Sequence, residues 1–325
     1  MNIVVAALVT LVLGCATSAQ AQSPASVPRI GFISALSASA LPGRAQAFRK
    51  GLAELGYVEG KNIVVEYRWA DGKLERISDL AAGLERLNVQ VIVSAGPSAT
   101  RRIRQATKTT PIVMAFDTDP VGSGFVDSFG RPGGRITGLS TLSPEISAKQ
   151  VEILRQIVPS LSRLGVLADS AEPGNARALE ETQRAARALG IDVQAFDIRA
   201  SKRIDELFEA VARQSVHALI VLPSAAYTEA RARVPAFAAK SQLPAIYWSG
   251  HFVDAGGLIT YSVDIEDLYR RAATYVVRIL KGSNPAEMPI EQPFKFEFVI
   301  NMKAAREMGL SIPMSVLTRA DRVIQ

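Results

Sequence analysis

Residues Pro111–Ser140 read PIVMAFDTDPVGSGFVDSFGRPGGRITGLS, and no other stretch says more about the architecture of this chain. The first six residues are a short apolar run bounded by Pro and Asp, which is typical of a central strand in a parallel sheet. A turn-rich acidic loop follows, and a second strand is predicted at Arg135–Leu139. Ligands of open α/β sheets bind at the carboxyl ends of the strands, so Asp117 and Asp119 indicate a small-molecule cleft at that edge.

Strands and helices alternate along the chain on both sides of this block, with short loops between them. The alternation predicts the α/β fold class, with two doubly wound parallel-sheet lobes and a cleft between them. The length of 325 residues fits two domains of about 150 residues each. The other predicted strands are Arg29–Ser34, Asn62–Trp69, Val89–Ala95, Leu164–Ala168, Asp192–Asp197, Ala218–Leu222, Ala245–Trp248 and Gly257–Ser262.

The first residues have the features of a secretory signal peptide. A mostly apolar run, Ile3–Leu13, precedes small residues that end in Ala19-Gln20-Ala21, an A-x-A cleavage site. We therefore expect residues 1–21 to be removed and the mature protein to be periplasmic. The only cysteine, Cys15, follows a loosely lipoprotein-like sequence, so lipid anchoring at Cys15 stays open as the less favoured alternative.

The composition favours a binding protein over other classes. The formal charge is +6 at pH 7, but the arginines are scattered over polar helix faces, with no basic stripe or motif that would indicate nucleic acid as a partner. The two histidines, His217 and His251, form no metal motif. No nucleophile elbow or dinucleotide fingerprint occurs in the sequence either. We therefore expect no enzymatic activity, no cofactor and no metal.

Three polar residues are placed to bind a charged ligand. The strand that ends at Ala95 runs through a Gly-Pro turn into a helix at Ser98, where free backbone N–H groups and the helix dipole favour an anion such as a carboxylate. The alternative for Ser98 is a helix N-cap. Asp117 or Asp119 is a candidate partner for a ligand ammonium group, although Asp119 precedes Pro120 and can instead fix the turn through its side chain.

Aromatic side chains are scarce, yet several lie at or beside the predicted carboxyl ends of strands, where they would stack on an aromatic or planar ligand. These are Phe116, Tyr227, Tyr247, Trp248 and Tyr261. Because alternate residues of a strand face opposite sides, one of Tyr247 and Trp248 is expected to point into the core. Polar candidates at the mouths of other strands are Ser34, Ser37, Ser140, Asn175 and Ser224.

Three segments carry a resemblance to a known family: the Pro111–Ser140 block with its DPVGSG and RPGG motifs, Phe48–Gly72 (FRKGLAELGYVEGKNIVVEYRWADG) and Pro289–Pro313 (PIEQPFKFEFVINMKAAREMGLSIP). From about Arg29 to the C-terminus the chain resembles the exported substrate-binding proteins of ABC importers, in the tryptophan/tyrosine-binding group. Two positions depart from the family pattern. Arg135 stands where the family usually has Asn, and Tyr269 stands where it usually has Gly.

The resemblance implies a type I periplasmic binding protein fold, in which three hinge crossings join the two lobes. It places residues 28–140 and 262–285 in the N-terminal lobe, and residues 141–261 and 286–325 in the C-terminal lobe. It also implies a monomer that binds one small molecule between the lobes, an amino acid or an aromatic carboxylate, and delivers it to an inner-membrane ABC permease.

Two alternatives to this function stay open at the level of the sequence. One is an exported α/β enzyme that acts on a small acidic substrate, and the other is a ligand-sensing domain for a separate signalling partner. Both departures from the family pattern are expected near the lobe boundary. Arg135 would add a cation close to the cleft there, which would favour a dicarboxylate or another acidic solute.

Overall fold

The computed structural model describes residues 27–40, 42–201 and 203–325. The predicted signal peptide and Cys15 lie outside the described residues. Two α/β lobes are formed, each built on an open sheet in which most neighbouring strands are parallel. The fold class predicted from the alternation of strands and helices is therefore confirmed. Within the described part of the chain, no helix is both long enough and apolar enough to cross a membrane.

Five parallel strands form the sheet of the N-terminal lobe, in the order β2-β1-β3-β4-β5. They are β1 (Arg29–Ser34), β2 (Val64–Trp69), β3 (Ile92–Ser94), β4 (Ile112–Asp117) and β5 (Ile136–Ser140). The connecting helices are α1 (Pro42–Glu54), α2 (Arg76–Arg86) and α3 (Pro97–Ala106). β4 is buried along its whole length, as its unbroken apolar sequence requires for a central strand of a parallel sheet.

Seven strands form the second sheet, in the order β12-β11-β10-β9-β8-β6-β7, and β10 and β11 are its antiparallel pair. They are β6 (Arg163–Ala168), β7 (Asp192–Asp197), β8 (Ala218–Val221), β9 (Ala245–Tyr247), β10 (Ile259–Val263), β11 (Phe296–Asn301) and β12 (Arg322–Ile324). The helices that follow in chain order are α4 (Ser143–Ile157), α5 (Asn175–Ala188), α6 (Ile204–Ala212), α7 (Ala225–Glu229), α8 (Arg233–Lys240), α9 (Gly250–Asp254), α10 (Ile265–Leu280), α11 (Met302–Glu307) and α12 (Met314–Leu317).

The chain passes between the two sheets three times. It leaves β5 for α4 through Leu142, which adopts the left-handed conformation with φ 53°. It then leaves β10 for α10, which packs along α1 of the first lobe. The third crossing lies between Glu291 and Phe296, because a backbone bridge still pairs Glu291 with Leu139 of β5. Residues 286–291 thus lie beside the first sheet, a few residues beyond the boundary at 285 implied by the resemblance.

An irregularity at the end of β4 sets the geometry of the carboxyl edge. The pairing of β4 with β5 shifts register between Met114 and Asp117. Gly138 lies opposite this point with φ 137°, and a Cβ atom there would stand 2.7 Å from the backbone nitrogen of Met114. Such irregularities bend a strand and re-aim its side chains, and they are common beside binding sites.

Candidate functional site

Two small cavities lie side by side between the lobes, at the carboxyl ends of both sheets. The first, called here the charged cavity, is lined by Arg44, Ser98, Glu172 and Ser224 together with neighbouring residues. The second, called the hydroxyl cavity, has a lining rich in hydroxyl groups: Thr118, Thr141, Ser143, Ser147 and Ser262. Each cavity measures about 20 Å³, which is room for one water molecule. The lobes are therefore closed on each other.

The wall shared by the two cavities consists of Phe116, Pro223 and Trp248. Phe116 is the penultimate residue of β4 in the first lobe, and Trp248 follows β9 in the second. Their rings stack across the cleft with centroids 6.3 Å apart and an interplanar angle of 26°. The indole Nε1 of Trp248 is buried and has no hydrogen-bond partner. A planar ligand group would stack on these rings and accept a hydrogen bond from the indole.

Arg44 contributes a buried cation to the charged cavity. It is the third residue of α1 and is 5% exposed. Its guanidinium carbon lies 5.6 Å from the ring centre of Phe116, 5.4 Å from Trp248 and 5.8 Å from Tyr269. Burial lowers the pKa of Arg44, while the nearby Tyr269 and Glu266 raise it and Arg231 lowers it further. No sequence motif pointed to this residue.

Two buried carboxyl groups, those of Glu172 and Asp117, also lie in the region where the lobes meet. Burial raises the pKa of Glu172 to about 7, and the charge of Asp169 raises it too, whereas N–H and hydroxyl groups of Ala225 and Ser98 oppose the shift. Burial likewise raises the pKa of Asp117 to about 8, with the charges of Glu172 and Asp119 adding to the effect. One oxygen of each group, Oε2 of Glu172 and Oδ2 of Asp117, has no hydrogen-bond partner.

Asp169 shows what a fully compensated buried carboxylate looks like in the same region. Arg199 grips it with two hydrogen bonds of 2.6 and 2.9 Å, and Ser224 donates a third of 2.7 Å. Among the described residues, no arginine pairs with Glu172 or Asp117 in this way. A buried acid without a counter-ion stays neutral unless a cation binds to it. Glu172, which lines the charged cavity, is therefore suited to receive a ligand ammonium group, whereas Asp117 lines neither cavity.

The start of α3 is only partly as expected from the sequence. Ser98 lines the charged cavity, but the interpretation of Ser98 as an N-cap is wrong, because Pro97 takes the first helical position and Gly96 is the cap, with φ 131°. The N–H and hydroxyl of Ser98 act on the Glu172 carboxyl from the other lobe and lower its pKa. The protein's own acid thus faces the helix start where we expected a ligand carboxylate.

The other aspartate and Ser37 join the two lobes. Asp119 accepts a 3.0 Å bond from the backbone of Gly122 and a 3.3 Å bond from Arg177 of α5. The backbone N–H of Ser37 donates to Glu229 of the second lobe over 2.8 Å. Asp119 therefore fixes its own turn, as the alternative interpretation had it, and also pairs across the cleft.

Several predicted polar residues lie beside the cleft with their side chains already engaged. Asn175 uses both ends of its amide, on Pro223 and Asp169. Ser34 and Ser140 each accept a bond from the backbone two residues on. Ser224 caps α7 while its hydroxyl donates to Asp169. Among these four residues, only Ser224 belongs to a cavity lining.

The aromatic candidates divide in the way that strand alternation predicts. Phe116 and Trp248 face the cleft, whereas Tyr247 stacks in the core on Phe252 at 5.1 Å. Tyr227 is fully buried and donates to the carbonyl of Ala168. Tyr261 packs against Phe296 and Phe298, away from both cavities. Of the thirteen candidate site residues, Ser98, Phe116, Ser224 and Trp248 are thus brought together around the two cavities.

The two departures from the family pattern have different fates. Arg135 makes four hydrogen bonds of 2.7 to 3.0 Å to Arg104, Thr107 and Thr110 at the end of α3. The expectation that Arg135 adds a cation to the cleft is wrong, because its guanidinium donates its hydrogen bonds to those carbonyl and hydroxyl oxygens. Tyr269 does reach the cleft, where its ring flanks Arg44. The cation of the cleft is Arg44, on a different helix.

Comparisons with known proteins agree with the two-lobed fold. The family model described as "ABC transporter substrate binding protein" matches residues 29–324. A curated relative, the tyrosine-binding protein of Clostridioides difficile, is 23% identical over 82% of this chain and 76% of its own length. The structure of an ABC domain in complex with L-Trp from Streptococcus pneumonia is 28% identical, with a TM-score of 0.86, and the match covers 92% of this chain and all of that one. A conserved domain protein from Vibrio cholerae reaches the same TM-score at 27% identity, over 91% of this chain and 99% of its own. The chain described here therefore belongs to the ABC transporter substrate-binding protein family.

Proposed function

We propose that this chain is the exported solute receptor of an ABC importer, that it binds an amino acid or an aromatic carboxylate between its lobes, and that it delivers this ligand to an inner-membrane permease. The lobes would close over one ligand molecule, and the closed form would dock on the permease. Ligand drives such a change by binding the closed state better than the open state.

One observation carries the proposal: buried polar atoms without partners converge on the cleft from both lobes. Two nitrogens of Arg44 come from the first lobe, and Oε2 of Glu172 and Nε1 of Trp248 come from the second. Native proteins leave few buried polar groups unpaired, and each exception requires an explanation. A bound molecule with a charged head and a planar body would satisfy these groups at once, with the lobes further apart than the two water-sized cavities leave them.

The relatives support an aromatic amino acid as the first candidate. One structural neighbour is described as a complex with L-Trp, and the curated relative as tyrosine-binding. In this chain we assign ligand contacts to Phe116 and Trp248 for the planar part, and to Ser98 and Ser224 for polar groups. A ligand ammonium group would lie by Glu172, which lines the charged cavity.

Native mass spectrometry of the protein purified from its producing cells, followed by thermal-shift screening, tests this function. We expect one small molecule per chain, and stabilisation by aromatic amino acids or aromatic acids; a ligand at 100 times its Kd adds about 2.7 kcal/mol to the unfolding free energy. The decarboxylated and N-acetylated forms of each hit serve as matched controls. Stabilisation by neutral sugars alone would contradict the proposal.

Export is proposed from the first 21 residues. We expect the mature chain to be released from a Gram-negative host by osmotic shock, with an N-terminus at Gln22. The variant Cys15→Ser separates the two forms of export. Unchanged release of this variant supports the soluble form, whereas a membrane-bound wild type that the variant sets free would show the lipid anchor.

A further inference from the structure

We propose that Arg44 is the carboxylate-binding subsite of the cleft, so that the ligand is a zwitterion held with its carboxylate on Arg44 and its ammonium group towards Glu172. This inference rests on the proposed function and deepens it, because it assigns the anionic end of the ligand to a residue of α1 instead of the start of α3.

The first observation is the state of the guanidinium itself. Arg44 is 5% exposed, and its Nε and Nη2 atoms have no hydrogen-bond partner. Glu266, the carboxylate that attracts it most, has an oxygen 3.9 Å from Nε2 of His251, a histidine whose pKa burial lowers to about 4. Within the described residues no carboxylate oxygen lies within 4 Å of Arg44. A buried charge in this condition is costly, and an anion that accepts two parallel N–H bonds would offset that cost.

The second observation is its position on the helix. Arg44 lies in the first turn of α1, which contains no acidic residue. The positive end of a helix dipole disfavours a cation in the first turn. The nearby Arg231 adds a second repulsive charge. Three aromatic rings and a hydrogen bond with Tyr269 favour the guanidinium here, but the charge has no carboxylate partner at a helix start, and departures of this kind are expected at functional sites.

The third observation is the polarity of the cleft along its length. Acidic groups gather at the far end, where Glu172 feels the charge of Asp169 and Asp117 feels that of Glu172 and Asp119. A ligand carboxylate at the start of α3 would lie against Glu172 and be repelled. In the opposite orientation, the carboxylate of the same ligand lies at Arg44 and its ammonium group lies near the acidic residues. Phe116, Trp248 and Tyr269 surround the guanidinium at cation–π distances, and its Nε and Nη2 atoms, which have no partner, are the donors that a carboxylate would accept from.

The test compares a ligand with its carboxylate-free analogue in matched variants. The first pair is L-tryptophan and tryptamine. The second pair is the carboxylate that binds best in the thermal-shift screen and the primary amide of that compound. Affinities are measured by calorimetry for the wild type, Arg44→Met, Arg44→Lys and Arg49→Met. Arg49 is the matched control, because it lies on the same helix over an aromatic ring, 5.6 Å from the centre of Tyr67, but is exposed outside the cleft.

We expect the wild type to prefer the carboxylate of each pair by about 100-fold, since losing a desolvated charge partner costs affinity on this scale. Arg44→Met should bring the two affinities within about fivefold, Arg44→Lys should fall between, and Arg49→Met should match the wild type. The melting temperature of ligand-free Arg44→Met should be no lower than that of the wild type.

Any other outcome contradicts either the role of Arg44 or the proposed function, and the measurements distinguish the two. Undiminished preference for the carboxylate in Arg44→Met, with the wild type binding amino acids, would overturn the role of Arg44 and leave the proposed function intact. A lowered melting temperature with unchanged preference would show that Arg44 is a structural cation. If no carboxylate bound the wild type, the proposed function would fail and this inference with it.

Discussion

Glu172 is a buried acid whose protonation should respond to the ligand. Its pKa of about 7 is raised by burial first and by the charge of Asp169 second, so at pH 6 the closed protein holds a proton on this group. A ligand ammonium group favours the charged carboxylate and lowers that pKa. Binding at pH 6 should therefore release up to about one proton per ligand at this site.

Calorimetry in two buffers of different ionisation enthalpy measures this proton release. Glu172→Gln should abolish most of it, whereas Glu180→Gln, an exposed acid on α5, should leave it unchanged. Equal proton release in the wild type and in Glu172→Gln would show that the ligand ammonium group does not meet Glu172.

The same acids should make the closed protein less stable in alkali when no ligand is bound. Glu172 and Asp117 have pKa values of about 7 and about 8 in the closed protein, above their values of about 4 in an unfolded chain. The folded state therefore binds more protons between these limits. The free energy of unfolding should fall as pH rises from about 5 to about 8, by at most about 1.4 kcal/mol per pH unit for each group. Urea titrations at each pH should show that Glu172→Gln combined with Asp117→Asn removes this fall in the free energy of unfolding.

At the scale of single elements, α3 depends on Arg135 for its last turn. Its guanidinium donates to the carbonyls of Arg104, Thr107 and Thr110, which are otherwise difficult to satisfy at a helix end. Arg135→Ala should cost about 1 to 3 kcal/mol of unfolding free energy and leave ligand selectivity unchanged. Denaturant unfolding measures the first effect and calorimetry the second, with exposed Arg131→Ala as control. A change in selectivity would bring back a role for Arg135 in the cleft.

The limits of prediction from the sequence are also clearest in single elements. The apolar run Ile112–Phe116 predicts β4 and its buried place correctly, because burial on both faces leaves a direct mark on residue type. Asp117, the next residue, is fully buried but lines neither cavity, whereas its neighbours Phe116 and Thr118 do. Strand alternation gives this pattern, but the choice of face depends on the irregular pairing with β5, which involves distant residues.

Arg44 and Glu172 were not predicted for a related reason. Each becomes informative only when the lobes meet, since Arg44 lies in an ordinary helix start and Glu172 in an ordinary loop. Their chemistry arises from burial and from missing partners, and neither is encoded in local spacing. The aromatic pair Phe116 and Trp248 was predicted because each lies next to a strand end.

At the scale of the whole molecule, closure brings backbone into contact across the cleft at Gly174. A Cβ atom on this residue would lie 2.8 Å from Cβ of Thr118 in the opposite lobe. Gly174→Ala should strain the closed form alone, and overpacking of this kind costs about 1 to 3 kcal/mol. Affinity should fall by about ten- to a hundredfold, with a smaller ligand-induced decrease in the radius of gyration.

Small-angle scattering with and without ligand checks this prediction, on a protein expected to be a monomer that binds one ligand. Gly134→Ala is the control, because a Cβ atom there would meet nothing within 4 Å. Adding Thr118→Ala to Gly174→Ala should restore part of the affinity by relieving the contact. If the single variant Gly174→Ala became as compact as the wild type on ligand binding, Gly174 and Thr118 would not be in contact in the closed form.

The shared wall of the two cavities also equips the chain with an optical signal. The sequence contains two tryptophans, and only Trp248 lines the cleft, while Trp69 packs on Phe32 and Tyr67 at the edge strand β2. A ligand stacked on the indole and bonded to its Nε1 changes the polarity around this fluorophore. With a ligand that has no indole ring, emission excited at the red edge of the tryptophan band should therefore shift on binding, in Trp69→Phe as in the wild type, and stay constant in Trp248→Phe. The receptor would thus report its own occupancy in real time without an attached dye, and stopped-flow recording of that emission would time lobe closure directly.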